Sequence, residues 1–196
     1  MKNKKNRSMA FMSLFLAIEI LLVCVPFLGF IPIGPMRATT LQIPVIIAGI
    51  VLGKNKGAFL GLVFGISSLI INTIQPTITS FVFSPFLSGS FMSVIIAIVP
   101  RVCIGYVSGF IYEHFKQHEY PAMVAGSLLG SLTNTILVLL GIYLLFGEEY
   151  ALALNKDIST LLPYFITILS TSGILEAIVG TVLAVPVSKT LLKIYK

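Results

Sequence analysis

Long runs of apolar residues alternate with short polar links along the whole chain. The breaks between the runs coincide with Gly and Pro residues, which interrupt helices. About 20 apolar residues are needed for a helix to cross a bilayer. We therefore predict an all-α integral membrane protein in which residues 1–196 form a single membrane domain with six transmembrane helices. The predicted helices lie at about 8–29, 40–53, 57–72, 91–114, 121–146 and 160–192.

Two of the six segments leave a choice open. The first run, from Met9 to Phe30, follows four basic residues and so resembles a signal peptide. It is longer than the 7–15-residue apolar core of such a peptide, and no A-x-A cleavage site follows it, so we expect a retained first span. The second run, at about 40–53, is short and is expected to span incompletely or to tilt behind its neighbours.

The composition indicates a lipid environment. Of the 196 residues, 57% are hydrophobic and 10% are charged, whereas soluble domains have about a quarter charged residues. The mean hydropathy is +1.02, and a soluble core of this size could not bury so much apolar surface. The net charge of +6 does not indicate nucleic-acid binding, because the placement of the basic residues matters more than their number.

The basic residues predict the orientation of the chain. Ten Lys and Arg residues lie on the side that holds both termini, and two lie in links on the opposite side. Because cytoplasmic loops are enriched in Lys and Arg, we expect both termini to be cytoplasmic and the links at about 30–40, 73–90 and 147–160 to face outward. The ten are Lys2, Lys4, Lys5, Arg7, Lys54, Lys56, Lys116, Lys189, Lys193 and Lys196, and the opposite two are Arg37 and Lys156.

Three ionisable residues interrupt the apolar runs: Glu19, Arg101 and Glu176. A charge at the centre of a membrane helix costs roughly 2.5–3.5 kcal/mol on insertion scales, so these groups should face the bundle interior. Arg101 either pairs with a carboxylate and fixes helix packing, or receives an anionic ligand. Arg37, in the link IPIGPMRATTLQIP at 31–44, is either an interfacial anchor or the second candidate for the anion.

Neutral polar groups in two further places are candidate ligand contacts. The link Ile71–Ser90 has Asn72 and Gln75 beside several Phe residues, which suits a small polar molecule with some apolar surface, although an ordinary interfacial loop is the alternative. In GSLLGSLTNT, at 126–135, Gly and Ser recur every four residues and predict close helix packing. Asn134 extends this stripe and forms either an interhelical hydrogen bond or the floor of an outward cavity.

The chain has no G-x-S-x-G, Walker A or C-x-x-C motif. His114 and His118 are four residues apart, but HFKQH lacks the Glu of the zinc-binding H-E-x-x-H motif. We therefore expect no catalytic site, no metal and no cofactor, so that transport would take its energy from a partner or an ion gradient. A membrane enzyme that uses Glu19 and Glu176, or a scaffold without a ligand, is a further alternative.

Several segments resemble the S components of energy-coupling factor (ECF) transporters, the substrate-capturing subunits of bacterial vitamin importers. The resemblance rests on MRATTLQIPVIIAGIVLGKNKGAFLGLVFGISSLI, FSPF, IVPRVCIGYVSGFIY and GSLTNTILVLLGIY, and it covers most of the chain. It is most similar to the pantothenate-type members through RATT…IP and GSLTNT, with folate and riboflavin as alternative vitamins. The resemblance implies a multi-pass protein of the bacterial cell membrane with an outer pocket, gated by the links at 31–40 and 73–90.

The resemblance also implies partners. A transmembrane coupling subunit and two ATPase subunits would supply the energy, while the S component captures the vitamin outside and topples in the bilayer to release it inside. The A-x-x-x-A motif that packs on the coupling subunit would fall on Ser13 and Ala17, where Ser replaces the first Ala. Both residues are small, so close packing with a partner helix is still expected.

Pantothenate has one carboxylate, two hydroxyls and an amide. An arginine binds a carboxylate through two charge-assisted hydrogen bonds. We therefore expect Arg37 or Arg101 to hold the carboxylate, and Asn72, Gln75 and Asn134 to contact the neutral groups.

Overall fold

The chain forms a helical bundle that contains one short β-hairpin. The computed structural model describes residues 2–25, 29–33 and 36–195. In chain order, the elements are α1 (Lys2–Cys24), β1 (Phe30–Ile33), β2 (Met36–Thr39), α2 (Gln42–Leu52), α3 (Lys54–Ile74), a 3-10 turn (Ser80–Phe83), α4 (Pro85–Ser88), α5 (Met92–His114), α6 (Glu119–Ala153), α7 (Ile158–Ile168), a π-helical segment (Leu169–Gly173) and α8 (Ile174–Tyr195).

Five helical segments in the described part of the chain are long and apolar enough to cross a membrane. They are Asn6–Cys24 in α1, the whole of α3, α5 and α6, and the continuous Ile158–Tyr195. The predicted helical membrane protein is therefore confirmed. The segment predicted at 40–53 is α2, which has 11 residues, and nine of them are buried against neighbouring elements. A helix covered in this way has little surface left for lipid.

The link after α1 folds into a hairpin, which the pattern of apolar runs does not predict. β1 and β2 pair antiparallel, with Pro32 opposite Arg37. At the base of the hairpin, the Thr40 N–H donates to the carbonyl oxygen of Gly29 at 3.1 Å. The prolines of this link favour extended backbone, and pairing the two extended arms satisfies backbone groups that a helix would otherwise have paired.

Three helices differ clearly from their predicted bounds. The helix predicted at 8–29 spans Lys2–Cys24, and it ends before Pro26 because a proline disfavours helical backbone in the residue before it. The helix predicted at 121–146 continues to Ala153 but has non-helical backbone (φ −141°, ψ 24°) at Phe146, directly before Gly147. The helix therefore kinks where the prediction ended it. The helix predicted at 160–192 contains the π-helical segment, where the Ser170 and Thr171 hydroxyls donate to carbonyl oxygens four residues earlier. Such bonds compete with the regular helical ladder and accompany local bending.

The centre of the bundle is the contact of α2, α3 and α5, where the backbones approach closely. A Cβ atom at Gly57 would lie 2.5 Å from the Cα of Gly49 and 2.7 Å from the carbonyl oxygen of Gly105. A Cβ atom at Gly105 would in turn overlap with the backbone of Gly57. Glycine is therefore required at this crossing. Around it pack the buried residues Val45, Ile46, Ile50, Leu60, Phe64 and Ile104.

The chain between α3 and α5, residues 75–91, folds onto the ends of these helices and is called the α3–α5 link below. The Ser80 hydroxyl donates to Oδ1 of Asn72 at 2.7 Å, and the hydroxyls of Thr73 and Ser84 are 2.7 Å apart. Next to it, a second apolar cluster joins the link to α5, α6 and α7. Its buried members are Val82, Ile96, Val138, Leu139, Ile142, Phe146, Tyr150, Leu161 and Phe165.

Candidate functional site

A cavity of about 330 Å³ lies between α3, α5, α6 and the α7–α8 segment, beside the α3–α5 link. This volume is at the lower end of the range for small-molecule sites. Its wall is mostly Ser, Thr and Asn side chains with some aromatic rings, and its charged residues are Arg101 and Glu176. The lining residues are Thr39, Ser68, Asn72, Thr77, Thr79, Phe83, Arg101, Asn134, Thr135, Val138, Leu139, Tyr150, Tyr164, Thr167, Ile168, Thr171, Ser172, Gly173 and Glu176.

Arg101 enters the cavity from α5 and is only 6% exposed. The sequence explains its position. Pro100 directly precedes Arg101 and has no N–H. The carbonyl oxygen of Ile96, four residues before Pro100, therefore lacks its usual helical hydrogen bond. Nη1 of Arg101 donates to that carbonyl oxygen at 2.9 Å instead. The proline therefore creates the acceptor that holds the guanidinium close to its own helix.

The rest of the guanidinium remains available for a ligand. The Phe64 and Phe83 rings lie 5.6 Å and 5.0 Å from its Cζ, so aromatic faces contact the cation. Its Nε is buried and has no hydrogen-bond partner among the described residues. Since a guanidinium has five N–H donors, the single bond to the helix backbone leaves most of them for an anion.

Glu176 reaches the same cavity from α8, and its charge interacts electrostatically with that of Arg101. The charged groups of Glu176 and Arg101 do not form an ion pair within 4 Å. Among the described residues, the ion pair at that distance is Lys54 with Glu113. Oε1 of Glu176 accepts instead from the N–H and the hydroxyl of Thr39, at 3.0 Å and 3.3 Å. One carboxylate therefore ties the end of the hairpin to α8.

The two asparagines of the cavity differ in their hydrogen bonds. Asn72 is satisfied by protein, since its Oδ1 accepts from Ser80 at 2.7 Å and its Nδ2 donates to the Ser68 carbonyl at 2.9 Å. Asn134 is 8% exposed, and its Oδ1 has no partner within the described ranges. Asn72 therefore fixes the α3–α5 link, whereas the amide of Asn134 is available to a ligand. Within the described residues, Oδ1 of Asn134 therefore does not form the interhelical hydrogen bond that was the alternative prediction.

Three lining side chains have buried polar atoms without a hydrogen-bond partner among the residues described: Arg101 at Nε, Asn134 at Oδ1 and Tyr150 at its hydroxyl. Buried polar groups are normally paired, and leaving one unpaired costs about 1–3 kcal/mol. A polar ligand in this cavity would satisfy such groups. The three atoms therefore indicate where the cavity can recognise a ligand.

The predicted contact residues divide into three groups. Arg101, Asn72 and Asn134 come together at the cavity, although they lie on three different helices. Gln75, directly after α3, is exposed and is not among the lining residues. The backbone of Arg37 lies in β2, but its side chain is outside the described part of the structure.

The predicted partner contacts, Ser13 and Ala17, lie away from the cavity. Both are exposed on α1, on a surface that also includes the exposed residues Leu14, Ile18 and Leu21. α1 is the least buried of the candidate spans, with 17% of its most apolar window buried.

The sequence pattern did not indicate Tyr150 or the position of Glu176 in the cavity. Tyr150 follows the kink at Phe146, in a stretch predicted to be an outward link, where nothing signals a buried ring. The sequence predicts that Glu176 faces the bundle interior. Its direction depends on the π-helical segment before it, for which the sequence offers only the cluster of Ser and Thr residues at 170–172.

A helical membrane protein with a polar internal cavity and a buried cation is, as a class, a membrane-embedded binder of a small polar molecule. Its family is defined by comparison with known proteins. Residues 7–188 match the family described as "ECF transporter, substrate-specific component", and the chain belongs to this family. The predicted resemblance to ECF S components is thereby confirmed, and with it a location in the bacterial membrane.

Two relatives match over nearly their whole length. The chain is 35% identical to "Pantothenic acid transporter PanT" of Lactococcus lactis subsp. cremoris (strain MG1363) over 200 residues, covering 98% of this chain and 97% of that protein. It is 30% identical to "Pantothenate transporter PanT" of Leuconostoc mesenteroides subsp. mesenteroides over 205 residues, covering 99% and 96%.

Proposed function

We propose that this chain captures pantothenate for an ECF-type uptake transporter. The observation that carries the proposal is the buried guanidinium of Arg101, which lines a polar cavity and makes one hydrogen bond within the described structure. The names of the two relatives support pantothenate as the ligand. The cavity of about 330 Å³ is within the range of small-molecule sites.

Arg101 is proposed to hold the carboxylate of pantothenate. A carboxylate fits the planar guanidinium through two parallel hydrogen bonds, and the adjacent rings of Phe64 and Phe83 exclude water from that contact. The amide of Asn134 is proposed to contact the neutral part of the ligand. Asn72 acts indirectly, because it holds the α3–α5 link against the cavity.

The test is the affinity of the detergent-purified protein for pantothenate, measured by isothermal titration calorimetry. Arg101→Gln removes the charge, and we expect about 10- to 100-fold weaker binding, because a hydrogen bond to a charged group contributes about 1.5–3 kcal/mol. Arg7→Gln is the matched control, since Arg7 is exposed on α1 and does not line this cavity. Unchanged affinity in Arg101→Gln would exclude this role. Arg37→Gln, measured beside it, tests the other predicted arginine.

The same purified protein tests the alternative vitamins. Native mass spectrometry is expected to show a co-purified molecule of pantothenate's mass, and riboflavin would colour the preparation yellow. If pantothenate does not bind and folate or riboflavin does, the proposed substrate is wrong while the family assignment stands.

The proposal includes six membrane crossings with both termini in the cytoplasm. Its support is the burial of α2 between its neighbours and the ten basic residues on one side. Single cysteines at Asn155 and Lys116, in a background without Cys24 and Cys103, test it in whole cells with a membrane-impermeant maleimide. Labelling at 155 and protection at 116 are expected, and the reverse pattern contradicts the orientation.

We propose that energy comes from a transmembrane coupling subunit and two ATPase subunits, with no ATPase site, cofactor or other catalytic site in this chain. α1 is proposed to contact the coupling subunit through Ser13 and Ala17, both exposed on its surface. Ser13→Leu with Ala17→Leu should abolish co-purification with the coupling subunit and leave pantothenate affinity unchanged. Thr190→Leu, which adds similar bulk on the exposed side of α8, is the control. Normal assembly of the double variant contradicts this interface.

A further inference from the structure

Tyr150 has a polar atom for which the proposed binding mode has no use. Its side chain is 0% exposed and lines the cavity, and its hydroxyl has no hydrogen-bond partner among the residues the structure describes. A buried Tyr hydroxyl usually has a hydrogen-bond partner. Without one, Phe would fill the same space and leave no polar atom unpaired. The hydroxyl is therefore a candidate for a specific ligand contact.

Contacts between α6 and the α7–α8 segment place Tyr150 at one end of the cavity. Its ring meets the ring of Phe165 with centroids 5.5 Å apart. Near the other end, Thr135 lies beside Gly173, since a Cβ atom added at Gly173 would be 3.0 Å from Cγ2 of Thr135. Phe165 and Gly173, which mark the two ends, are about 12 Å apart along the α7–α8 segment, at 1.5 Å per residue.

The two ends of the cavity differ in chemistry. Asn134, next to Thr135, and Glu176, one turn beyond Gly173, lie at the end opposite Tyr150. Arg101 lies between the ends, because its Nη1 binds the carbonyl oxygen of Ile96, a member of the buried cluster that contains Tyr150. The end at Tyr150 combines the buried apolar cluster of Val82, Phe146, Leu161 and Phe165 with the phenol of the lining residue Tyr164. This environment favours a neutral group with apolar surroundings over a second charge.

We propose that Tyr150 is a specificity-determining residue that binds a hydroxyl group of the ligand, apart from the carboxylate contact of Arg101. The inference rests on the proposed function. Pantothenate matches the arrangement, because its hydroxyls and its two methyl groups lie far from its carboxylate and an extended molecule is roughly 10 Å long. A hydroxyl both donates and accepts, so it pairs with a phenol in either direction.

The experiment combines one protein change with one ligand change. Tyr150→Phe removes the hydroxyl alone and keeps the ring contact with Phe165. N-(3,3-dimethylbutanoyl)-β-alanine keeps the carboxylate, the amide and the methyl groups of pantothenate but lacks both hydroxyls. Binding of each compound to the wild type, to Tyr150→Phe and to the control Tyr143→Phe is measured by calorimetry. Tyr143 lies on the same helix, is 38% exposed and does not line the cavity.

For pantothenate, we expect Tyr150→Phe to bind about 3- to 10-fold more weakly than wild type, as for one lost neutral hydrogen bond. For the analogue, the two proteins should bind equally, and Tyr143→Phe should match the wild type with both compounds. Equal affinity of wild type and Tyr150→Phe for pantothenate overturns the inference. An equal loss with both compounds also overturns it, since the hydroxyl would then serve another group.

These outcomes are distinct from failure of the proposed function. A wild-type protein that binds no pantothenate contradicts the proposed substrate itself, and this inference with it. A third ligand, the alcohol pantothenol, separates the carboxylate contact from the hydroxyl contact. Because pantothenol lacks the carboxylate, Arg101→Gln should bind it as tightly as the wild type does. Tyr150→Phe should still bind it more weakly than the wild type. Loss of the Tyr150 effect with pantothenol places the phenol at the carboxylate and contradicts the inference.

Discussion

Replacing Asn134 by Leu is expected to stabilise the protein and weaken its ligand binding at the same time. The side chain is 8% exposed, and its Oδ1 has no hydrogen-bond partner in the described ranges. Leu has nearly the same shape and no polar atom to leave unpaired. Most substitutions of buried residues destabilise a protein, so a gain here would be specific to an amide retained for ligand binding.

The magnitude follows from the cost of the unpaired group. A buried polar atom without a partner costs about 1–3 kcal/mol, and each kcal/mol corresponds to about 2–4 °C in Tm for a chain of this size. Part of this gain is offset where the amide borders the cavity. We therefore expect the Tm without ligand to rise by about 2–6 °C. Affinity for pantothenate should fall about 3- to 10-fold, as for one neutral hydrogen bond.

Thermal unfolding of the detergent-purified protein, with and without pantothenate, measures both effects. Asn72→Leu is the matched control, because it is also a buried cavity asparagine but bonds to Ser80 and Ser68. It should lower Tm, since it removes bonds that hold the α3–α5 link. If Asn134→Leu lowers Tm as much as Asn72→Leu does, the amide of Asn134 has a structural partner and the reasoning is refuted.

Three further changes test the framework around the site. Gly105→Ala should lower Tm by several degrees, because the added Cβ would overlap with the backbone in the α2–α3–α5 contact. Gly147→Ala is the control and should not lower Tm, since its Cβ would be 3.9 Å from the nearest atom. Glu176→Leu should speed hydrogen exchange of the Thr39 amide about 10- to 100-fold, because that N–H loses its carboxylate acceptor, and an unchanged rate refutes the contact. Ser80→Ala should lower Tm by removing the donor to Asn72, and an equal Tm would show that the link is held by other contacts.

The helical part of the fold could be predicted from the sequence because lipid requires long apolar helices. The helix at 91–114 corresponds to Met92–His114, and that at 40–53 to Gln42–Leu52. The hairpin before α2 could not be predicted in the same way. Its pairing depends on two short arms that meet in space, and neither arm has a periodicity that distinguishes it from an irregular link.

The site could be predicted in part, for a similar reason. Arg101 and Asn134 are polar residues in apolar runs, and the cost of burying them in lipid indicates that they face inward. Tyr150 has no such signal, since a Tyr near the end of a helix is common at membrane interfaces. Its burial follows from the kink at Phe146, which turns the end of α6 toward α7.

The π-helical segment at Leu169–Gly173 makes the last membrane helix equivalent to an α-helix with one residue inserted. Each residue of an α-helix turns the chain by about 100°. A single deletion within this segment should therefore restore a regular helix with little rotation of α8 relative to α7. A deletion in the regular helix just before Glu176 should instead rotate α8 by that angle, and Glu176 would leave the cavity wall and lose its contact with Thr39. The π-helical segment thus absorbs the extra residue locally, and Glu176 stays on the side of α8 that faces the cavity. A change of length at this point would therefore reshape the cavity wall at Thr171, Ser172 and Gly173 and leave the glycine contacts of α2, α3 and α5 untouched.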